Sequence, residues 1–195
     1  FTAIPPAVTG LAFSTSYSTL SSESPVFNWT HSTAPDLSYY EVALGTAAGS
    51  NDISGWTNIG LPNTYQFLGQ TLTECQDIYA SVRAVDTDSY TSSFASTGIG
   101  SFDGTAPNVP GGLILSGTAS PTDSRTLTWS PASDNCSSVT YEIALGTTSG
   151  GNEEIDWTPV SLTNHEFTSI SPNLSYSTDY YLSVRAVDEA GNTSA

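Results

Sequence analysis

The sequence predicts an all-β protein organised as two tandem β-sandwiches, and three observations predict it. The chain repeats itself: YASVRAVD at 79 to 86 returns as YLSVRAVD at 181 to 188, a displacement of 181 − 79 = 102 positions. Its composition is rich in Ser, Thr, Gly and Pro, without Met or Lys, a vocabulary of strands and turns rather than helices. Short alternating runs are separated by turn clusters such as STAPD, GTAAGSND, SPTDS and GTTSGGNEE, at the spacing of a sandwich and without helical periodicity.

Each element has its counterpart in the other repeat. PVFNWT (25 to 30) aligns with RTLTWS (125 to 130) as a second strand carrying Trp29 or Trp129. YYEVALGT (39 to 46) aligns with TYEIALGT (140 to 147) as a third. There Tyr141, Ile143 and Leu145 share one face and Glu142 and Ala144 the other, the pattern of a half-buried strand. GWTNIG and DWTPVS come next and align Trp56 with Trp157; the sixth strand points Tyr180, Leu182, Val184 and Ala186 inward. The offsets drift only from 100 to 102, so insertions are confined to loops, as a fixed strand register demands. A connector at 101 to 112, with three Gly and two Pro, places the domains at 1–103 and 104–195. Domain one has Ser93 to Phe102 for a seventh strand. Domain two stops at Ala195, aligned with Ser93, so its last strand is expected to be truncated or supplied from elsewhere.

These residues resemble fibronectin type III domains over nearly the whole chain: the Trp of the second strand (Trp29, Trp129), the Tyr and apolar alternation of the third, and the approach to the sixth. The resemblance implies an immunoglobulin-like β-sandwich in each half. It also implies a tyrosine corner at Leu174 and Tyr180, where the phenol caps the preceding turn; the first half has Ile78 there, so that bond is missing or replaced. ALGTTSGGNEEIDWT, VRAVDEAGNTS and the connector DGTAPNVPGGL are similar to tandem repeats of large secreted bacterial surface proteins. That resemblance implies a non-catalytic extracellular adhesion or spacer module of a larger surface or fibre protein, its partner a cell-surface protein or glycan. The alternative is a carbohydrate-binding accessory or linker of a secreted glycoside hydrolase. A third reading is recognition of a host or prey surface protein through the exposed loops. The opening FTAIPP has neither an initiator Met nor a leader, so the chain is expected to be part of a longer one whose secretion signal is removed or lies upstream.

Nineteen Asp and Glu against three Lys and Arg give a formal charge of −16, which argues against nucleic acid and anionic lipid as partners. No apolar run is long enough to span a bilayer, so no membrane insertion is expected. Catalysis requires a poised base beside a nucleophile or second carboxylate. The two histidines, His31 and His165, sit at unrelated places in the repeats with no recognisable partner, which reads as a non-enzyme without a cofactor.

The repeated VRAVD finds its explanation in the pairing of third and sixth strands: Arg83 is expected beside Glu41 and Arg185 beside Glu142, on the outer sheet face. Trp56 and Trp157 come after acidic loops and could stack on a sugar, though packing over the sheet edge is the plainer reading. Tyr39 and Tyr79 make the better adhesive patch on the outer face of domain one. Asp103, Asp134 and Asp188 are expected to converge at one pole of domain two, where hard oxygen ligands suit calcium, although acidic loops are usually only solvated. Four sequons, NWT, NCS, NLS and NTS, arise easily in a chain so rich in Ser and Thr. Finally, an even count of cysteines in a secreted chain suggests a bridge between Cys75 and Cys136, one in each repeat, which would stiffen the tandem into a rod.

Overall fold

Strands, turns and no helices make up the computed structural model, which describes residues 4–13, 19–20, 24–116, 125–160, 163–167, 175 and 177–195. The chain divides into two compact units, Phe1–Gly104 and Thr105–Ala195.

In unit 1, β1 (Thr9–Phe13), β3 (Val26–Thr30) and β6 (Thr64–Gln66) form one sheet in the order β1-β3-β6. The second sheet contains β2 (Thr19–Leu20), β4 (Leu37–Gly45), β5 (Ser54–Gly60), β7 (Asp77–Asp86) and β8 (Ala95–Phe102), in the order β2-β8-β7-β4-β5. All pairs are antiparallel except β2 with β8. Because successive side chains point to opposite faces, one set from each strand meets in the core. Phe27 and Trp29 come from β3, Tyr40, Val42 and Leu44 from β4, Ile78, Ala80, Val82 and Ala84 from β7, and Phe102 from β8.

Trp29 and Tyr40 meet edge to face, with ring centroids 5.6 Å apart. A buried phenol needs a partner for its hydroxyl. Tyr40 accepts the Ser32 backbone N–H at 2.8 Å and shares a 3.0 Å hydrogen bond with Nδ1 of His31, tying down the loop after β3. This corrects the expectation that His31 has no partner: the imidazole belongs to the structure of that loop.

Unit 2 repeats the plan. Its sheets are β9 (Gly111–Ser116), β10 (Arg125–Ser130) and β13 (Asn164–Phe167), in the order β13-β10-β9, and β11 (Thr140–Gly146), β12 (Ile155–Val160) and β14 (Tyr181–Val187), in the order β12-β11-β14. Trp129 and Tyr141 form the same pair at 5.5 Å, and the Tyr141 hydroxyl accepts the Ala132 N–H at 2.9 Å. His165 lies in β13 opposite Leu127.

The turn before the sixth strand is held differently in the two units. In unit 2 the Tyr180 hydroxyl accepts the Ser175 N–H at 2.9 Å, as a tyrosine corner does; Leu174 lies outside the described residues. In unit 1 the fully buried Ile78 offers no hydroxyl, and the Cys75 N–H instead donates to the Phe102 carbonyl at 2.8 Å. Aligned Cys75 and Ser177 both stand at φ 61°, so the turn has one left-handed backbone with two means of anchorage.

The units differ at one sheet edge. β7 pairs with β4 on one side and β8 on the other. β14 pairs with β11, and among the described residues its other edge carries only the isolated bridge Val187 to Thr193.

Candidate functional site

Chemistry-bearing side chains gather on the outer face of the sheet that pairs the third and sixth strands, and they do so once in each unit. In unit 1, Glu41 of β4 faces Arg83 of β7 in the ladder, and Arg83 Nε donates to Glu41 Oε2 at 2.7 Å. Trp56, from β5, lies against the same guanidinium, whose carbon is 4.3 Å from the ring centroid. In unit 2, Glu142 faces Arg185, Nε and Nη2 reach Glu142 Oε2 at 2.8 and 2.7 Å, and the guanidinium carbon is 4.2 Å from the Trp157 ring. Each Arg therefore has a carboxylate at one side and an indole across its plane. The ion pair was legible in the period-two register. The stacking was not, because it depends on β5 and β12 bringing Trp across the sheet; the signal available was that both repeats keep Trp, Arg and Glu together. Trp56 and Trp157 stand on the edge strands β5 and β12, half-buried, and each indole has one face occupied by an Arg guanidinium.

The loop between β4 and β5 folds back over this face. Gly49 N–H donates to Ser81 Oγ at 3.0 Å, and Gly150 N–H reaches Ser183 Oγ at 3.2 Å. A Cβ at Gly49 would meet the Phe94 ring at 2.3 Å, and its φ of +79° also excludes most side chains, so glycine is required. This cover explains why Ala43 and Ala144, on the face opposite the core, are nonetheless buried. Within the loop Asp52 accepts from the hydroxyls of Ser50 and Thr46 and from the Thr46 N–H, which together hold its carboxyl well below the usual carboxylate range. In unit 2 the Asn152 amide, the Trp157 N–H and the Arg185 charge lower Asp156 in the same direction.

The other expected site residues lie elsewhere. Tyr39, opposite Val85, and Tyr79, opposite Gly45, are both half-buried; a Cβ at Gly98 would come within 3.0 Å of the Tyr79 ring, so Tyr79 lies over that glycine. Asp103 comes directly after β8 in unit 1 and is buried. In unit 2, Asp134 and Asp188 bring carboxylate oxygens within 4.8 Å of each other. Asp188 accepts the Asn192 N–H and side-chain amide, whereas Asp134 Oδ2 accepts the Cys136 and Ser137 N–H groups. The other oxygen, Asp134 Oδ1, is buried without a hydrogen-bond partner among the described residues. Cys75 and Cys136 are both disulfide-bonded, and no free thiol remains.

No protein-family model matches the chain. No curated protein matches it. Among solved structures it is similar to the FN1–FN3 domains of chicken CNTN1, at 16% identity and a TM-score of 0.59, over 99% of this chain and 66% of that one. The central fibronectin-III array of RIM-binding protein aligns at 17% identity and a TM-score of 0.36, over 95% of this chain and 58% of that one. The chain spans less than two thirds of each. Together with the all-β sheets, the first of these likenesses establishes the fold: the chain is built as fibronectin type III sandwiches.

Proposed function

We propose that the chain is a non-catalytic extracellular module, serving as adhesion or spacer segment of a larger surface or fibre protein of bacterial type. The observation that carries this reading is the twice-built Glu–Arg–Trp cluster. The side chains best suited to reading a ligand are engaged with one another inside each unit, and they are engaged identically, as structural repetition requires and a single specialised site does not. The oxidised cysteines support an extracellular setting, because disulfides persist in oxidising compartments.

A glycan array and a cell-adhesion assay on the purified chain test the reading. Adhesion or silence, without glycan binding, supports it. A glycan signal lost on Trp56→Ala or Tyr79→Ala would move the assignment to the carbohydrate-binding accessory of a secreted hydrolase. Hydrolytic turnover that disappears when His or Asp residues are replaced would overturn the non-catalytic reading. Calcium at Asp103, Asp134 and Asp188 is an accessory proposal, checked by calorimetric titration with calcium alone and by its loss on Asp134→Asn. Peptide mapping without reduction tests the proposed linkage of Cys75 to Cys136.

A further inference from the structure

The turn before the sixth strand passes through a left-handed residue in both units, Cys75 in unit 1 and Ser177 in unit 2, each at φ 61°. That backbone is uncommon for residues other than glycine and persists only where the surroundings fix it. Unit 2 fixes it with the Tyr180 hydroxyl on the Ser175 N–H. Unit 1 has Ile78 in place of that tyrosine and a cysteine in place of the serine, and the cysteine is disulfide-bonded. The same turn grips the end of β8. Cys75 N–H donates to the Phe102 carbonyl at 2.8 Å, Phe102 N–H to the Gln76 carbonyl at 3.1 Å, and Gly104 N–H to the Glu74 carboxylate at 3.2 Å. Whatever holds the turn therefore also holds the last residues of unit 1, which ends at Gly104.

From this we infer that the disulfide at Cys75 is a redox-sensitive latch that takes the place of the tyrosine corner in unit 1, and that its reduction releases the turn at 73–76 together with the end of β8. The step balances with a dithiol as reductant: the S–S bond breaks, two electrons and two protons give two thiols, and the dithiol leaves as its own cyclic disulfide. Release falls on the Cys75 side. The loop at Cys136 has its own anchorage, since Asp134 Oδ2 accepts both the Cys136 and the Ser137 N–H. At Cys75 the bridge is the covalent restraint on a left-handed backbone that has no phenol to cap it. The latch is closed in the oxidising setting proposed for the chain and opens where thiol reductants are present.

The test is amide hydrogen exchange on the intact protein, first oxidised and then incubated with dithiothreitol. Reduction is expected to speed exchange of the Cys75 and Phe102 amides at least about tenfold, because a native bridge is usually worth more than the roughly 1.4 kcal/mol of one decade. The Ser175 amide, held by Tyr180, and the β11–β14 ladder are expected to keep their rates. Cys75→Ser installs the residue that unit 2 carries at the same φ, so the backbone accommodates it. This variant is expected to exchange at position 75 and at Phe102 as the reduced protein does, and to ignore the dithiol. Unchanged Cys75 and Phe102 amides, in a protein whose two cysteines both titrate as thiols, overturn the proposal. Equal acceleration throughout both units also overturns it, because the bridge then supports the whole chain and not one turn. So does a Cys75→Ser protein that still responds to the dithiol, since the response then has another source.

Discussion

Units 1 and 2 share a scaffold and differ in closure. Both bury a Trp–Tyr pair, both thread an Arg between a Glu and a Trp, and both fold the loop after the third strand over the outer face. Yet β7 is paired on two edges and β14 on one among the described residues. The centre of each sixth strand is buried in either case, as Val82 and Val184 and Ala84 and Ala186 attest. What changes is the seal around it: Tyr181 is exposed and Ser183 and Val187 are partly so. The seventh strand is therefore a cover on a sandwich whose register is already set by strands two, three and six.

The comparison breaks most severely at Phe102. It is buried at the end of β8, its N–H donates to Gln76 O, and its carbonyl accepts from Cys75. Phe102→Ala is expected to destabilise unit 1 by about 3–5 kcal/mol, the usual range for a buried aromatic lost from a core. Scanning calorimetry would then find the unit 1 transition lowered and that of unit 2 unchanged. An unshifted unit 1 would mean that β8 contributes little beyond backbone pairing.

A smaller effect distinguishes the two core tyrosines. The Tyr40 hydroxyl serves both the Ser32 N–H and His31, whereas the described partner of Tyr141 is the Ala132 N–H alone. Tyr40→Phe leaves a part-buried N–H without its acceptor, expected to cost about 1–3 kcal/mol. Tyr141→Phe should cost less. Urea denaturation of both variants measures the difference, and equal losses would assign His31 no share in the bond.

How much of this could be read beforehand depended on the distance over which each feature is specified. Strand faces are written locally by period-two alternation, so the inward Trp29, Tyr141, Ile143 and Val184 and the Arg83–Glu41 and Arg185–Glu142 neighbours were legible. Tyr180 was legible through the motif that the fold reuses. The His31–Tyr40 bond was not, because it depends on how the loop after β3 curls back on β4. Nor was the stacking of Trp56 on Arg83: the β4–β5 ladder shifts register between Tyr40 and Glu41 and again between Val42 and Leu44, so no alternation rule carries Trp56 to its neighbour. β9 shows no alternation at all, with every residue from Gly111 to Ser116 exposed, and it is placed by pairing with β10 rather than by its own pattern.

The outer-face clusters are where the units should behave alike. Arg83→Ala removes a cross-strand ion pair, worth about 0.2–1 kcal/mol, and a cation–π contact worth about 0.5–1 kcal/mol in partly exposed settings. A loss of about 1–2 kcal/mol from unit 1 is expected, with a similar loss from unit 2 on Arg185→Ala, because the two geometries differ by only 0.1 Å in the stacking distance. A double-mutant cycle with Glu41→Gln separates the ion pair from the stack. Markedly unequal losses would show that closure by β8 stiffens the outer face as well as the seventh-strand seam.

The finest distinction lies in acid. The Asp52 carboxyl of unit 1 is held low by the Ser50 and Thr46 hydroxyls, and Asp156 of unit 2 is lowered by Asn152, the Trp157 N–H and Arg185. A carboxyl whose folded pKa is depressed stabilises the fold above its unfolded value, near 3.9, and that contribution is lost as pH falls below it towards the folded pKa. Both groups are exposed to solvent, so each effect is small. Asp52→Asn should flatten the acid limb of unit 1 below about pH 4 and leave that of unit 2 alone, while Asp156→Asn should do the reverse. Melting temperatures measured from pH 7 to pH 2, resolved by unit, check both. The two should also respond differently to salt, since hydroxyl and amide donors are insensitive to screening, whereas the share of the Asp156 shift due to Arg185 is reduced by it. An acid limb that salt changes equally in the two units would remove the ionic component assigned to Asp156.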